Sequence, residues 1–313
     1  MLNDNKNIAQ KVGSHMQIES LKFFYEVASV RSISKVAKKS LISQSALSQQ
    51  IQRLEDGLGY KLLIRSNKGV ELTEAGFIVE KYAKNVLKSY DNMVEDLNNV
   101  SKNNNIIRIN SVWTVATYAL PCTLFKVKKK YPNHNYNLAS NVSDDVEQHL
   151  INDVCDIGFI YDKPNEPSLV SHKVGSDKLV AVVSKDFNIK QDLNIKELLN
   201  YGLILLDNKT RERRLINSKF NNAGYNLEDF NILFDLDSTE SVKSMVAKGY
   251  GISFLPYLSV KKEIYTKELK LLNVLDFEAE CDIYIIFKHD QYMKKTIKEF
   301  IEYIKKIGQD SFC

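Results

Sequence analysis

The sequence predicts an α/β multidomain protein with a small winged helical module first, then one long helix, then a larger α/β body. Three observations carry that expectation. Between Leu21 and Leu58 apolar residues recur at three and four, in three short blocks with almost no chain between them. From Thr73 to about Ser101 one helical pattern runs without a proline. Beyond Ile106, short apolar runs alternate with helical patterns, the signature of a parallel α/β sheet. At 313 residues, 44% hydrophobic and 26% charged, the chain has length for two domains, or three if one is split.

Gly13-Ser14-His15-Met16 reads as a scar of tag cleavage or as part of a natural extension, so residues 1–15 are a flexible or cloning-derived leader and folding is expected from Met16. Leu21, Phe24, Val27 and Ala28 form the buried face of a first helix. Ser34 opens a second, with Val36, Ala37 and Leu41 inward, and Leu41-Ile42-Ser43 makes a tight turn. Ser43 is a good N-cap for a third helix to about Leu58, with Ala46, Leu47, Ile51 and Leu54 buried and Gly57 and Gly59 ending it. A hairpin follows: Lys61–Ile64, a turn through Ser66-Asn67-Lys68-Gly69, then Val70–Leu72. Thr73 caps the long helix. Its stripe of Ile78, Tyr82, Val86, Tyr90, Met93, Leu97 and Val100 is spaced like a coiled coil and predicts pairing with another helix. Residues 16–72 are too small a body to cover about 40 Å of helix. Ser101–Asn105 reads as a linker.

In the remainder, strands are expected at Ile106–Asn110, Tyr136–Leu138, Asp156–Ile160, Leu179–Ser184, Leu203–Leu206, Ile232–Phe234, Gly251–Phe254 and Asp282–Phe287. Helices are expected at Thr117–Lys130, Val146–Ile151, Ile195–Leu199, Arg211–Ala223, Ser241–Ala247, Pro256–Val260 and Tyr292–Ile307.

Composition removes several classes. No run approaches 18 apolar residues, and the polar start lacks a signal-peptide core, so no membrane partner is expected and the cytoplasm is the expected location. Cys122, Cys155, Cys281 and Cys313 are scattered, which disfavours a disulfide scaffold, a metal site and thiol-pair redox sensing. There is no HExxH, GxSxG, Walker A or GxGxxG, and the five histidines have no metal-ligand spacing, so neither an enzyme nor a cofactor is expected. Charge is unevenly spread. Residues 16–70 hold nine Lys/Arg against four acids, whereas residues 102–313 hold 29 against 28. The N-terminal module is built to meet a polyanion and the body to do something else.

Two helices joined by a tight turn, followed by a basic hairpin, have the layout of a winged helix-turn-helix. Gln44 and Gln49 offer paired donors and acceptors to a base edge, and the small Ser45 and Ser48 allow close approach. Lys35, Lys38, Arg53, Arg65 and Lys68 can contact phosphates. The residues Ser32-Ile33-Ser34-Lys35-Val36-Ala37, then Ser43-Gln44-Ser45-Ala46-Leu47-Ser48-Gln49-Gln50-Ile51, Leu54-Glu55, Leu58-Gly59, Leu62-Leu63, Arg65 and Leu72-Thr73-Glu74-Ala75-Gly76 together resemble a bacterial LysR-type transcriptional regulator. Ala247–Pro256 resembles the family's glycine-turn segment more loosely.

The resemblance implies a winged helix-turn-helix at 16–73, a dimerising linker helix at 74–101 and an effector domain at 102–313, similar to the two-lobed (type 2) periplasmic-binding-protein fold. Lobe I would span about 106–172 and 270–308 and lobe II about 173–269, with crossings near Leu169–Gly175 and Leu269–Val274. Gln44, Ser48 and Gln49 fall on the family's DNA-contacting positions and Arg65 on its hairpin arginine; many relatives carry arginine at the place of Gln49. The implied partners are an AT-rich interrupted palindrome, a small-molecule effector, a second copy in a homodimer or homotetramer, and RNA polymerase. Thr114 and Ser143 match the polar positions that hold effector, and Thr210 faces the same cleft. Ser111 and Trp113 follow the first strand of the body. Thr114, Ser143 and Thr210 are placed at helix N-termini, where free backbone N–H groups and the positive helix end favour an anion such as a carboxylate. The rival reading is a carrier or enzyme on the same two-lobed fold with a vestigial N-terminal domain.

Overall fold

A computed structural model describes residues 17–66, 69–100, 105–289 and 293–312. The chain divides into two compact units, 1–102 and 103–313. The leader, Lys68 and Cys313 lie outside the described residues.

The first unit holds α1 (Ile18–Val30), α2 (Ile33–Lys39), α3 (Gln44–Leu58), the strands β1 (Leu63–Ser66) and β2 (Gly69–Leu72), and α4 (Glu74–Val100). Ser32 and Ser43 cap α2 and α3, their side chains accepting from the backbone N–H groups of Lys35 and Ala46. The turn between them passes through Leu41, left-handed at φ 56 and 92% exposed. Phe24, Val27, Val36, Leu47, Ile51, Leu54 and Leu62 form one buried core. The hairpin is antiparallel, pairing Leu63 with Leu72. Val70 N–H donates to the carbonyl of Arg31, fixing the wing to the end of α1.

The second unit is built on a curled mixed sheet in the order β4 (His134–Asn141), β3 (Asn105–Val112), β5 (Ile157–Tyr161), β12 (Glu280–Lys288), β6 (Leu169–Ser184), β11 (Leu269–Val274), β7 (Asp192–Leu193), with β10 (Ser253–Pro256) also on β6. A separate parallel pair joins β8 (Gly202–Leu206) and β9 (Asn231–Leu236). Helices α5 (Trp113–Tyr118), α6 (Leu120–Lys130) and α7 (Ser143–Ile151) follow β3 and β4. Helices α8 (Arg211–Asn222), α9 (Thr239–Ala247), α10 (Tyr257–Tyr265) and α11 (Lys295–Ile307) complete it.

Four expectations change. The sheet is not wholly parallel: β12 runs antiparallel to β5 and β6, and β6 antiparallel to β10 and β11. A chain that crosses between two lobes and returns must traverse the sheet in both directions. The first crossing is a continuous strand of 16 residues, β6, paired with β12 over Leu169–Lys178 and with β10 and β11 beyond Leu179. The second is not Leu269–Val274, which pairs with β6 and β7; the chain returns after it, into β12. The helix expected over Thr117–Lys130 is two, divided at Ala119 with Pro121 in the first turn of α6, where its missing N–H costs nothing. Cys155 and Cys281 are free and buried, but Cys122 is disulfide-bonded, a pairing that sequence spacing did not indicate.

Candidate functional site

In the first unit α3 presents Gln44, Ser45, Gln49 and Arg53 to solvent, with Ser48 half-buried among them. The other glutamines of this helix are committed. Gln50 accepts from Ser20 Oγ at 2.8 Å, while Gln52 donates to Asp56 at 2.6 Å and accepts from Lys61 at 2.8 Å. The amides of Gln44 and Gln49 make no hydrogen bond among the described residues. Arg65, on β1, donates from Nη1 to Ser48 Oγ at 3.2 Å, so hairpin and helix meet on one polar surface. Lys35 is exposed on α2. These positions bring the expected DNA-contacting residues together, apart from Lys68, which lies outside the described residues.

A carboxylate holds this surface in shape. Glu55 is only 5% exposed; its Oε1 accepts from the backbone N–H groups of Leu62 and Leu63 at 2.8 and 3.2 Å, and Oε2 pairs with Lys61 at 2.8 Å. Thr73 donates to the carbonyl of Lys61 and caps α4 through the N–H of Gly76. Within the first unit α4 leaves Ile78, Tyr82, Val86, Tyr90, Met93 and Leu97 exposed, all six of the residues expected to dimerise. The side chain of Val100 lies outside the described ones.

The second unit carries a narrow cleft at the carboxyl ends of β3, β4, β8 and β9. Trp113, Thr114, Asn141, Ser143, Thr210, Arg211, Glu212, Asp237 and Thr239 line a cavity of about 30 Å³, next to a larger one of about 330 Å³ reached past Trp113 and Asp237. Parallel strands that deliver helix N-termini to one line make this the usual ligand position in open α/β sheets. Ser111 is an exception among the expected effector residues. Fully buried, it donates to the carbonyl of Val112 and lies outside the cavity lining, because the pleat turns its side chain into the core. Thr210 lines the cleft but is already engaged, donating to the Asp207 carbonyl and capping α8 through Arg213 N–H. Ser143 Oγ is buried and has no hydrogen-bond partner among the described residues. Trp113 is 58% exposed at the rim.

Polar contacts close the cleft from both sides. Thr114 donates to Glu212 Oε1 at 3.2 Å, Arg211 Nε donates to Asp162 at 2.8 Å, and the Tyr118 hydroxyl donates to Glu240. Burial pushes the Glu212 carboxyl up from its ordinary range, while its own backbone N–H and the Thr114 hydroxyl pull it partly back. Burial, and then Glu240, push the Tyr118 hydroxyl up to about 12. Sequence reasoning missed Glu212. It falls at Glu212, Ile216, Phe220 on the buried stripe of α8, an acid at a core position, and that spacing was the available signal.

A basic winged helix-turn-helix, an exposed apolar helix and a ligand-sized cleft between lobes define a ligand-responsive DNA-binding regulator. The model for the bacterial regulatory helix-turn-helix protein, lysR family, matches residues 18–77, and the LysR substrate binding domain matches residues 102–308. The chain belongs to the LysR family of transcriptional regulators. A probable RuBisCO transcriptional regulator of Trieres chinensis is 24% identical over 292 residues, 90% of this chain and 94% of the relative. Full-length CbnR complexed with its target DNA superposes with a TM-score of 0.72 at 20% identity, covering 93% and 99% of the two chains. The effector-binding domain of QuiR in complex with shikimate gives a TM-score of 0.59 at 18% identity over 67% of this chain and 99% of that one. Among the described residues no helix is long and apolar enough to cross a membrane.

Proposed function

We propose that this regulator reads its operator with Gln44 and Gln49, holds it through Lys35, Arg53, Arg65 and Lys68, and changes its DNA affinity when a small carboxylate-bearing effector enters the cleft at Thr114 and Ser143. The observation that carries the first part is the pair of uncommitted amides on the exposed face of α3, beside Arg65, while Gln50 and Gln52 are tied within the fold. Glutamine is suited to adenine, which fits an AT-rich palindrome. Two half-sites require two copies, and the apolar stripe of α4 supplies a self-complementary surface for a homodimer, with a homotetramer, a dimer of dimers, as the larger alternative. RNA polymerase is the further partner of such an assembly, and the cytoplasm is its place of action.

The test is a gel shift on the DNA upstream of the protein's own gene against a random duplex. Gln44→Ala should cost roughly 1–3 kcal/mol on the operator and leave random DNA nearly untouched. Arg65→Ala should weaken both and flatten the salt slope by about one unit. Equal losses on both duplexes from both substitutions would refute the assignment of α3.

A further inference from the structure

The charges of the cleft do not suit a simple anion. Its one lining cation, Arg211, already donates Nε to Asp162, whereas Glu212 is buried and Asp237 stands at the rim. A bare carboxylate would meet two acids with no unpaired cation among the lining residues, a costly arrangement in a partly dry site. Yet the opposite wall asks for an acceptor. Ser143 Oγ is buried without a partner among the described residues, and it opens α7, nine residues long, whose first backbone N–H groups are unpaired within the helix. One wall of the cavity accepts and the other donates.

Building on the cleft reading above, we propose that the effector is a free amino acid, its ammonium group seated on the Glu212 carboxylate and its carboxylate on Ser143 and the start of α7. The ammonium takes over from the Thr114 hydroxyl, which donates to Glu212 Oε1 at 3.2 Å. At about 30 Å³ the polar cavity has room for little more than a water, so the ligand enters by opening that hydrogen bond. The side chain of the amino acid extends into the adjoining cavity of about 330 Å³. Because Thr114 lies on lobe I and Glu212 on lobe II, exchanging their bond for one to the ligand alters what ties the lobes together.

The full-length protein is titrated by calorimetry with each of the twenty L-amino acids, with Trp113 emission as a second readout, since it is the only tryptophan and lies on the rim. For each binder, the matched acid lacking the amine and the matched amine lacking the carboxylate follow. The expected result is binding of at least one amino acid, with both truncated analogues at least ~10-fold weaker. Glu212→Gln should weaken the amino acid by about 10- to 100-fold, as loss of a charged hydrogen bond predicts. Ser143→Ala should weaken it several-fold, with the far-ultraviolet spectrum unchanged in both variants. The proposal is overturned if no amino acid binds, or if a deaminated acid binds as tightly as its parent and ignores Glu212→Gln. If that acid still depends on Ser143, the carboxylate cleft stands without the ammonium site; if it depends on neither residue, both readings fall.

Discussion

Glu55 lies on α3 but turns inward, and both its oxygens are used: one gathers the backbone N–H groups of Leu62 and Leu63, the other Lys61. Glu55→Ala would leave the buried Leu62 and Leu63 amides unpaired, and a loss of about 3 kcal/mol is expected in denaturant unfolding of the first unit. A change under about 0.5 kcal/mol would show that solvent replaces the carboxylate. Glu212 works in the opposite sense. Burial raises its pKa, so the fold favours the protonated form: its contribution is fully present below the ordinary glutamate value and is lost as pH rises through the folded value. Glu212→Gln, neutral at every pH, should therefore have a higher Tm than the wild type at pH 7.5, with the gap closing toward pH 4; a gap that widened on acidification would reverse the sign. At this scale the exposed polar face of α3 was legible, because polar residues on a capped amphipathic helix can be read from spacing alone. The cleft was half legible. Thr114, Ser143, Thr210 and Trp113 follow strand ends, but Ser111 fell on the wrong side of the pleat, and Glu212 meets Thr114 across 98 residues of sequence.

Elements with strong local signals emerged where their periodicity put them: α1 to α4, and the hairpin within two residues. The crossing strand did not, for a physical reason. Lys173, Gly175, Asp177 and Lys178 carry no apolar strand pattern, and only pairing with β12 makes them strand, continuous with the Leu179–Ser184 stretch that pairs with β10 and β11. Strand direction is likewise absent from local pattern, since an antiparallel return and a parallel neighbour carry the same apolar run. The junction between hairpin and α4 offers a sharper test of element packing. A Cβ on Gly76 would sit 2.2 Å from the carbonyl oxygen of Leu62, a backbone atom that also accepts from Thr73 N–H and cannot step aside cheaply. Gly76→Ala should destabilise the first unit by about 1–3 kcal/mol despite the better helix propensity of alanine. A neutral or stabilising result in thermal melts would mean that α4 shifts freely against the hairpin.

For the molecule as a whole the question is what covers α4. Ile78, Tyr82 and Leu97 are 56%, 62% and 65% exposed, and Val86, Tyr90 and Met93 are 40–50% exposed, all along one stripe. So long an apolar surface is rarely left bare, and a row repeating at three and four matches the same row on a second copy of itself. Around a two-fold axis each substitution enters twice, so one introduced charge meets its own image at close range. Val86→Asp or Met93→Asp should therefore halve the mass seen by light scattering at micromolar protein. It should also lower operator affinity at least ~10-fold, because a single half-site remains. Lys84→Ser, two residues from Val86 and so on the far side of the helix, should change neither. The helix content of all three variants should match the wild type, which separates lost pairing from lost folding. Should Val86→Asp and Met93→Asp keep both the dimer mass and the DNA affinity, the copies must meet through a surface other than α4, and its stripe would need another occupant.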